Sequence, residues 1–280
     1  LSGSGSGRWQ FWTAAIDQWR SQPVGGVGAG TYEAWWAANG SFSYFLRDAH
    51  SLYLEMLGEL GLLGLLLTVG VVAVGVGLAV ARARTLRGDG RVAAAALAGV
   101  LAGFAVAAGI DWMWELSAVT LLALIALALV TTAWPEAAHR AAVRPIAGVA
   151  VAVVALVCVA AQVIPFLAQN QLARSRSAAA RGEGAAALAA ARAARDIQPW
   201  AASPYLQLAL VDERLGRLGA ARSSIHEAID RDGEDWRLWL IAARLETKAG
   251  AVARARRSLA RAVELNPRSP LFRGIGGNAR

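Results

Sequence analysis

Four long stretches without a single charged side chain constrain this sequence most. There are 22 residues between Glu59 and Arg82, 19 between Arg91 and Asp111, 20 between Glu115 and Glu136, and 29 between Arg144 and Arg174. In the last stretch the strongly apolar part runs from Pro145 to about Ala168. A helix of about 20 residues is roughly 30 Å long, the thickness of a bilayer's hydrocarbon core. Buried helices of soluble proteins are seldom this long without a charge, so the direct reading is four transmembrane helices. Composition agrees: 56% of residues are hydrophobic and 17% charged, which excludes a disordered chain and argues against a purely soluble enzyme. The single cysteine, Cys158, excludes an internal disulfide and a cysteine-based zinc site. The chain opens on Leu1 and LSGSGSG, which has no signal-peptide pattern, so we expect a piece of a longer protein. The expected fold class is all-α: a multi-pass transmembrane helix bundle followed by a helical repeat domain. The expected division is 1–58 as an extracytoplasmic loop segment, 59–168 as four transmembrane helices, and 170–280 as extracytoplasmic repeats.

Arginines in the short loops set the expected orientation. Arg82, Arg84, Arg87 and Arg91 follow the first span, and Arg140 and Arg144 follow the third. The turn Ile110-Asp111-Trp112-Met113-Trp114-Glu115 between spans two and three has none. The positive-inside rule places both arginine loops in the cytoplasm, and hence 1–58 and 170–280 outside. Arg174, Arg176 and Arg181 lie on the opposite side to that rule, but a long domain translocates largely regardless of charge. Trp112, Trp114 and Trp134 fall at span ends, where aromatic belts form.

Before the first span, Trp9, Trp12, Ile16 and Trp19 recur at helical spacing among Arg8, Gln10, Asp17 and Arg20. This predicts an amphipathic helix whose aromatic face lies on the membrane or against the bundle, stopped by Pro23. The turn Pro23-Val24-Gly25-Gly26-Val27-Gly28-Ala29-Gly30 follows. Gly28 and Gly30 there are candidate ligand contacts, because backbone N–H groups in such a turn can form an anion-binding nest. Arg47-Asp48-Ala49-His50-Ser51 then leads into the first span, with Ser51 or Asp48 as its cap. Of the 3 histidines, His139 falls in a cytoplasmic loop and His226 on a surface-type helix, so His50 is the catalytic candidate. Arg8 and Arg47 in the same outer segment suit a phosphate-bearing ligand, since guanidinium grips phosphate oxygens in bidentate fashion. Glu55 and Glu59 are poorly placed around the helix to pair with His50. Gly58, Gly61 and Gly64 would let another helix approach closely.

The C-terminal segment repeats itself. Gly182, Gly216 and Gly250 are 34 residues apart, as are Ala187, Ala221 and Ala255, and Pro199, Gly233 and Pro267. That period with helix–turn–helix patterning resembles tetratricopeptide repeats, two and a half to three units. Stacked repeats imply a concave surface for a protein partner.

His50-Ser51, nine residues, then Gly61-Leu62-Leu63-Gly64 resembles the His-(Asn/Ser/Gln)-x9-Gly-x-x-Gly signature of the O-antigen ligase and polymerase superfamily. Arg8-x-x-x-Trp12, the Pro23–Gly30 turn and Asp111-Trp112 are similar to further motifs of that family, in the same order over about residues 8–134. A tetratricopeptide tail is a common attachment there. The resemblance implies a glycosyltransferase that takes a glycan from a polyprenyl-diphosphate carrier and passes it to a hydroxyl of a glycan, lipid or protein acceptor. It implies no cofactor, metal or nucleotide sugar. It also implies His50 as the catalytic histidine and Arg8 as a diphosphate contact. Arg47 matches no position of the family and stands on its charge alone. Family members have about a dozen spans, so these 280 residues by themselves are expected to be inactive. The alternative from another class is a membrane-anchored tetratricopeptide scaffold that binds partner proteins without catalysis. Nucleic acid is excluded as a partner: the +8 charge is mostly arginine at membrane faces and on repeat helices, with no recognition motif.

Overall fold

Helix follows the apolar runs, because a chain in lipid must satisfy every backbone N–H and C=O internally. The computed structural model describes residues 7–132 and 145–273, and every regular element in them is helical. Trp134, His139, Arg140 and Arg144 lie outside the described residues. The chain divides into two compact units, Leu1–Ala142 and Val143–Arg280.

The first unit comprises α1 (Arg8–Ser21), α2 (Tyr32–Asn39), α3 (Leu52–Thr85), α4 (Gly88–Ile110), a 3-10 turn at Met113–Glu115, and α5 (Ser117–Thr131). Helix α3 is its axis; α1, α2, α4 and α5 all pack on it. One core gathers Phe11, Ala15, Tyr32, Trp36, Leu46 and Ala49 beneath the loop that carries His50. Burying an aromatic or leucine side chain there contributes about 1.5–3 kcal/mol. A second core joins α3, α4 and α5 through Ala79, Leu101, Ala126 and Val130. Outside these cores the helices leave Leu66, Leu67, Val71, Val74, Leu121, Leu122 and Ile125 exposed. An apolar surface of that extent belongs against lipid.

Helix α1 packs against the bundle, one of the two placements expected for it. Its buried face is Phe11, Ala14, Ala15 and Gln18, while Trp9 is exposed. Of the aromatic stripe, Trp12 packs partly buried against the first core. The closest approach of α1 to α3 is at Gly58, where an added Cβ would press on Gln18 and the Ala15 carbonyl. Gly58 thus does admit a neighbouring helix, whereas Gly61 is approached by a loop.

Among the described residues three helices are long and apolar enough to cross a membrane: α3, α4, and α6 (Pro145–Ala180). The protein is a membrane protein. The third expected span is present as the 15-residue α5, shorter than the others. The fourth, α6, does not end at the apolar boundary; it runs on unbroken through Pro165 into the repeats.

The second unit continues with α7 (Gly184–Ile197), α8 (Ala202–Arg214), α9 (Leu218–Arg231), α10 (Trp236–Lys248) and α11 (Val252–Leu265). The end of α6 pairs with α7, α8 with α9, and α10 with α11. Helix starts at 184, 218 and 252 keep the 34-residue period, and Gly182, Gly216 and Gly250 turn each pair with positive φ. Ala187, Ala221 and Ala255 are buried where the paired helices close on each other. Ile225, Leu238 and Leu245 fill the centre.

Candidate functional site

The loop after α2 ends in Asp48-Ala49-His50-Ser51, and α3 begins because the Ser51 hydroxyl accepts the Leu54 N–H. Asp48 is thereby released from capping. Its Oδ1 accepts the His50 backbone N–H at 3.0 Å and lies 2.8 Å from His50 Nδ1. This folds the backbone of His50 into the left-handed region, φ +54°, where it is the one non-glycine residue among those described. Such a conformation costs roughly 1–2 kcal/mol and persists only where its surroundings impose it. Facing a carboxylate, Nδ1 is the donor, which leaves Nε2 as the basic nitrogen of the ring. The ring lies tilted against Phe11, with centroids 5.3 Å apart.

Arg8 opens α1, and Asp111 ends α4. Arg8 Nη2 meets Asp111 Oδ2 at 3.1 Å, and Asp111 Oδ1 accepts the Trp112 N–H. One edge of the guanidinium is held and the rest of the fork stays available. Arg8 and His50 line a single cavity of about 300 Å³ with Phe11, Phe42, Tyr44, Asp111 and Trp112. Two residues 42 positions apart in sequence are thus brought to one site by α1 lying across α3.

The glycine turn builds this arrangement rather than opening onto it. Helix α3 is broken at Gly61, φ +66° and ψ −161°. Beyond the break, the Leu62 and Leu63 N–H groups donate to the carbonyls of Pro23 and Val24. Before it, the carbonyls of Gly58 and Glu59 accept from Val27 and Gly28. A Cβ on Gly26 would run into the Glu59 carbonyl, and one on Gly61 into that of Val24, so neither backbone could approach with any other residue. The turn does form an anion nest, but its anion is internal: the Glu59 carboxylate accepts the N–H groups of Gly30 (2.8 Å) and Tyr32 (3.0 Å). The N–H groups of Gly28 and Gly30 are therefore engaged by α3, and neither glycine lines the cavity.

Arg47 is exposed and does not line the cavity either. Its charge acts on Glu115 instead. Burial and the Asp48 carboxylate push the Glu115 carboxyl above the usual carboxylate range, while Arg47 and His50 pull it back. Tyr32, buried with its hydroxyl on the Phe11 carbonyl, has its phenol pushed far up, first by burial and then by the charges of Glu55 and Asp48. Asp48, Glu55 and Glu115 have carboxylate oxygens within 4.8 Å of one another, the one group with metal-ligand spacing among the described residues. Two of the three already have protein partners, His50 for Asp48 and the Ala49 N–H for Glu55.

Asp48 is the residue that sequence reading passed over as a mere cap. The signal was there: a carboxylate two residues before a histidine reaches it when the backbone turns. Phe42 and Tyr44 had no signal beyond being aromatic.

No curated protein matches the chain. The family model described as O-antigen ligase matches residues 1–69, the stretch holding Arg8, the glycine turn, His50, and Gly61 with Gly64. Over those residues, from α1 into the broken helix α3, the chain is similar to the O-antigen ligase family.

Proposed function

We propose that this protein is a membrane glycosyltransferase of the O-antigen ligase or polymerase type, moving a glycan from a polyprenyl-diphosphate carrier to an acceptor hydroxyl at the extracytoplasmic face. The observation that carries the reading is the shared cavity: a histidine paired to a carboxylate and an arginine paired to another face the same 300 Å³ space.

The chemistry follows from the groups present. The acceptor hydroxyl gives its proton to Nε2 of His50 as its oxygen bonds the anomeric carbon. The bond from that carbon to the diphosphate oxygen breaks, and the diphosphate leaves with the electron pair. Asp48 stabilises the imidazolium and fixes which nitrogen carries the proton. Arg8, held by Asp111 on one edge, meets the charge gathering on the leaving diphosphate. The aromatic rings of Phe42, Tyr44 and Trp112 suit a sugar ring. The acceptor is a glycan, lipid or protein hydroxyl, and the repeats engage a protein partner.

The test is transfer from a lipid-linked glycan by membranes containing the full-length protein. His50→Asn is the sharper variant, because asparagine tolerates the left-handed backbone that His50 occupies. Its transfer should vanish with normal membrane insertion, and Arg8→Ala should mainly raise the KM for donor. Retained transfer by His50→Asn removes the imidazole from the mechanism.

A further inference from the structure

The 34-residue period places equivalent residues of α6, α8 and α10 at one level. Arg176, Leu210 and Arg244 occupy one such level, and Arg214 and Lys248 another, one helical turn on. These residues line a groove of about 550 Å³ whose floor includes Ala179, Val211 and Gln207. The groove carries four cations and a single carboxylate, Glu213. Glu213 is nearly buried and holds Arg244 at 2.6 Å and Lys248 at 2.9 Å. Arg214 donates to the Ala179 carbonyl at 3.1 Å, which holds it towards α6. Arg176 is exposed and has no ion-pair partner among the described residues. One carboxylate cannot neutralise four cations, and it fixes two of them in place, so the groove is pre-organised for negative charge.

We infer that this groove, apart from the His50 cavity, binds an extended acidic peptide segment of a partner protein. Three features favour a peptide over an acidic glycan. No aromatic ring lines the groove to stack on a sugar, in contrast to the cavity around His50. Its floor is aliphatic at Leu210 and Val211, which fits an apolar side chain between acidic ones. Arg176 and Arg244 stand two helices apart, about 20 Å at usual helix packing distances. An extended chain covers that in about six residues. The recognised segment therefore carries acidic residues about six positions apart with an apolar residue midway.

The experiment is fluorescence anisotropy with the full chain in non-ionic detergent. The probe is a labelled heptapeptide with aspartate at both ends and leucine at the centre. Controls replace both aspartates with asparagine or with lysine. The acidic probe should bind, the controls should not, and raising salt from about 50 to 300 mM should weaken binding steeply. Arg176→Glu removes no internal ion pair, so the fold should stand, and affinity should fall about tenfold. Arg176→Glu together with Arg244→Gln, with helicity confirmed by circular dichroism, should abolish binding. Equal affinity for the asparagine control, unchanged affinity in Arg176→Glu, no binding of the acidic probe at millimolar concentration, or tighter binding of an acidic oligosaccharide would each overturn the assignment.

Discussion

His50 combines three constraints that seldom meet by chance. Its backbone is left-handed, its Nδ1 is fixed by Asp48, and its ring is set against Phe11. Asparagine at position 48 would keep the backbone turn while losing the charge that stabilises an imidazolium. Asp48→Asn should therefore lower the kcat for glycan transfer by about a hundredfold and leave the KM for donor nearly unchanged. The split between the two constants is the readout: a kcat that stays at the native value, or a KM that rises as much as kcat falls, would make Asp48 a structural residue only. His50 stood out in the sequence as one of 3 histidines, and Arg8 through its spacing to Trp12; the fold brings the two to one cavity. Asp48 did not stand out, since its role exists only once Ser51 takes over the helix cap and the intervening backbone turns left-handed. Arg47 shows the converse. Charge alone suggested a phosphate contact, yet Arg47 is exposed and does not line the cavity, and its charge is felt at Glu115.

At the scale of elements, the join between the glycine turn and broken α3 decides whether the site forms. Four backbone hydrogen bonds cross between them, and each strand's glycine occupies space the other backbone needs. Gly26→Ala and Gly61→Ala each place a Cβ against a carbonyl and impose a left-handed conformation on alanine. Either should destabilise the first unit by about 3 kcal/mol or more, seen as a lowered thermal midpoint in detergent together with lost transfer. Gly70→Ala and Gly103→Ala sit in open space within α3 and α4, and should change the midpoint little. A midpoint as low in Gly70→Ala as in Gly61→Ala would show that the close approach is unimportant. The sequence carried both glycine motifs but not their partnership, because backbone-to-backbone contact leaves no side-chain pattern to read. The same holds where α1 crosses α3. Its tryptophans were legible, but the close approach of Ala15 and Gln18 to Gly58 was not. In the second unit, where glycines and alanines recur every 34 residues, the pattern was plain, and the helix starts keep it.

Across the whole molecule, the number of crossings fixes which compartments hold the His50 segment and the repeats. Helices α3, α4 and α6 are each long enough to cross, so the count turns on α5. Its 15 residues span about 22 Å at the usual rise, short of a full hydrocarbon core. The charge-free run that contains it is 20 residues, and it ends five positions before Arg140. If α5 crosses, the loops carrying Arg82, Arg84, Arg87, Arg140 and Arg144 all lie in the cytoplasm, and residues 1–51 share the outer side with the repeats. If it does not, Arg140 and Arg144 move outside and the repeats move in, against the charge rule. A bilayer thins by a few ångströms around a short helix at modest cost, whereas reversing the arginine loops opposes insertion directly. We therefore predict four crossings. In a Cys158→Ala background, Ser43→Cys and Ser223→Cys should both react with a membrane-impermeant maleimide added to intact spheroplasts, while Arg87→Cys should react only after permeabilisation. All three positions are exposed, so a failure to label reports the membrane rather than burial. Labelling of Ser43→Cys without Ser223→Cys would mean that α5 lies along the interface. The acidic peptide proposed for the repeat groove would then be a cytoplasmic one, and no partner in the glycan's own compartment could reach it.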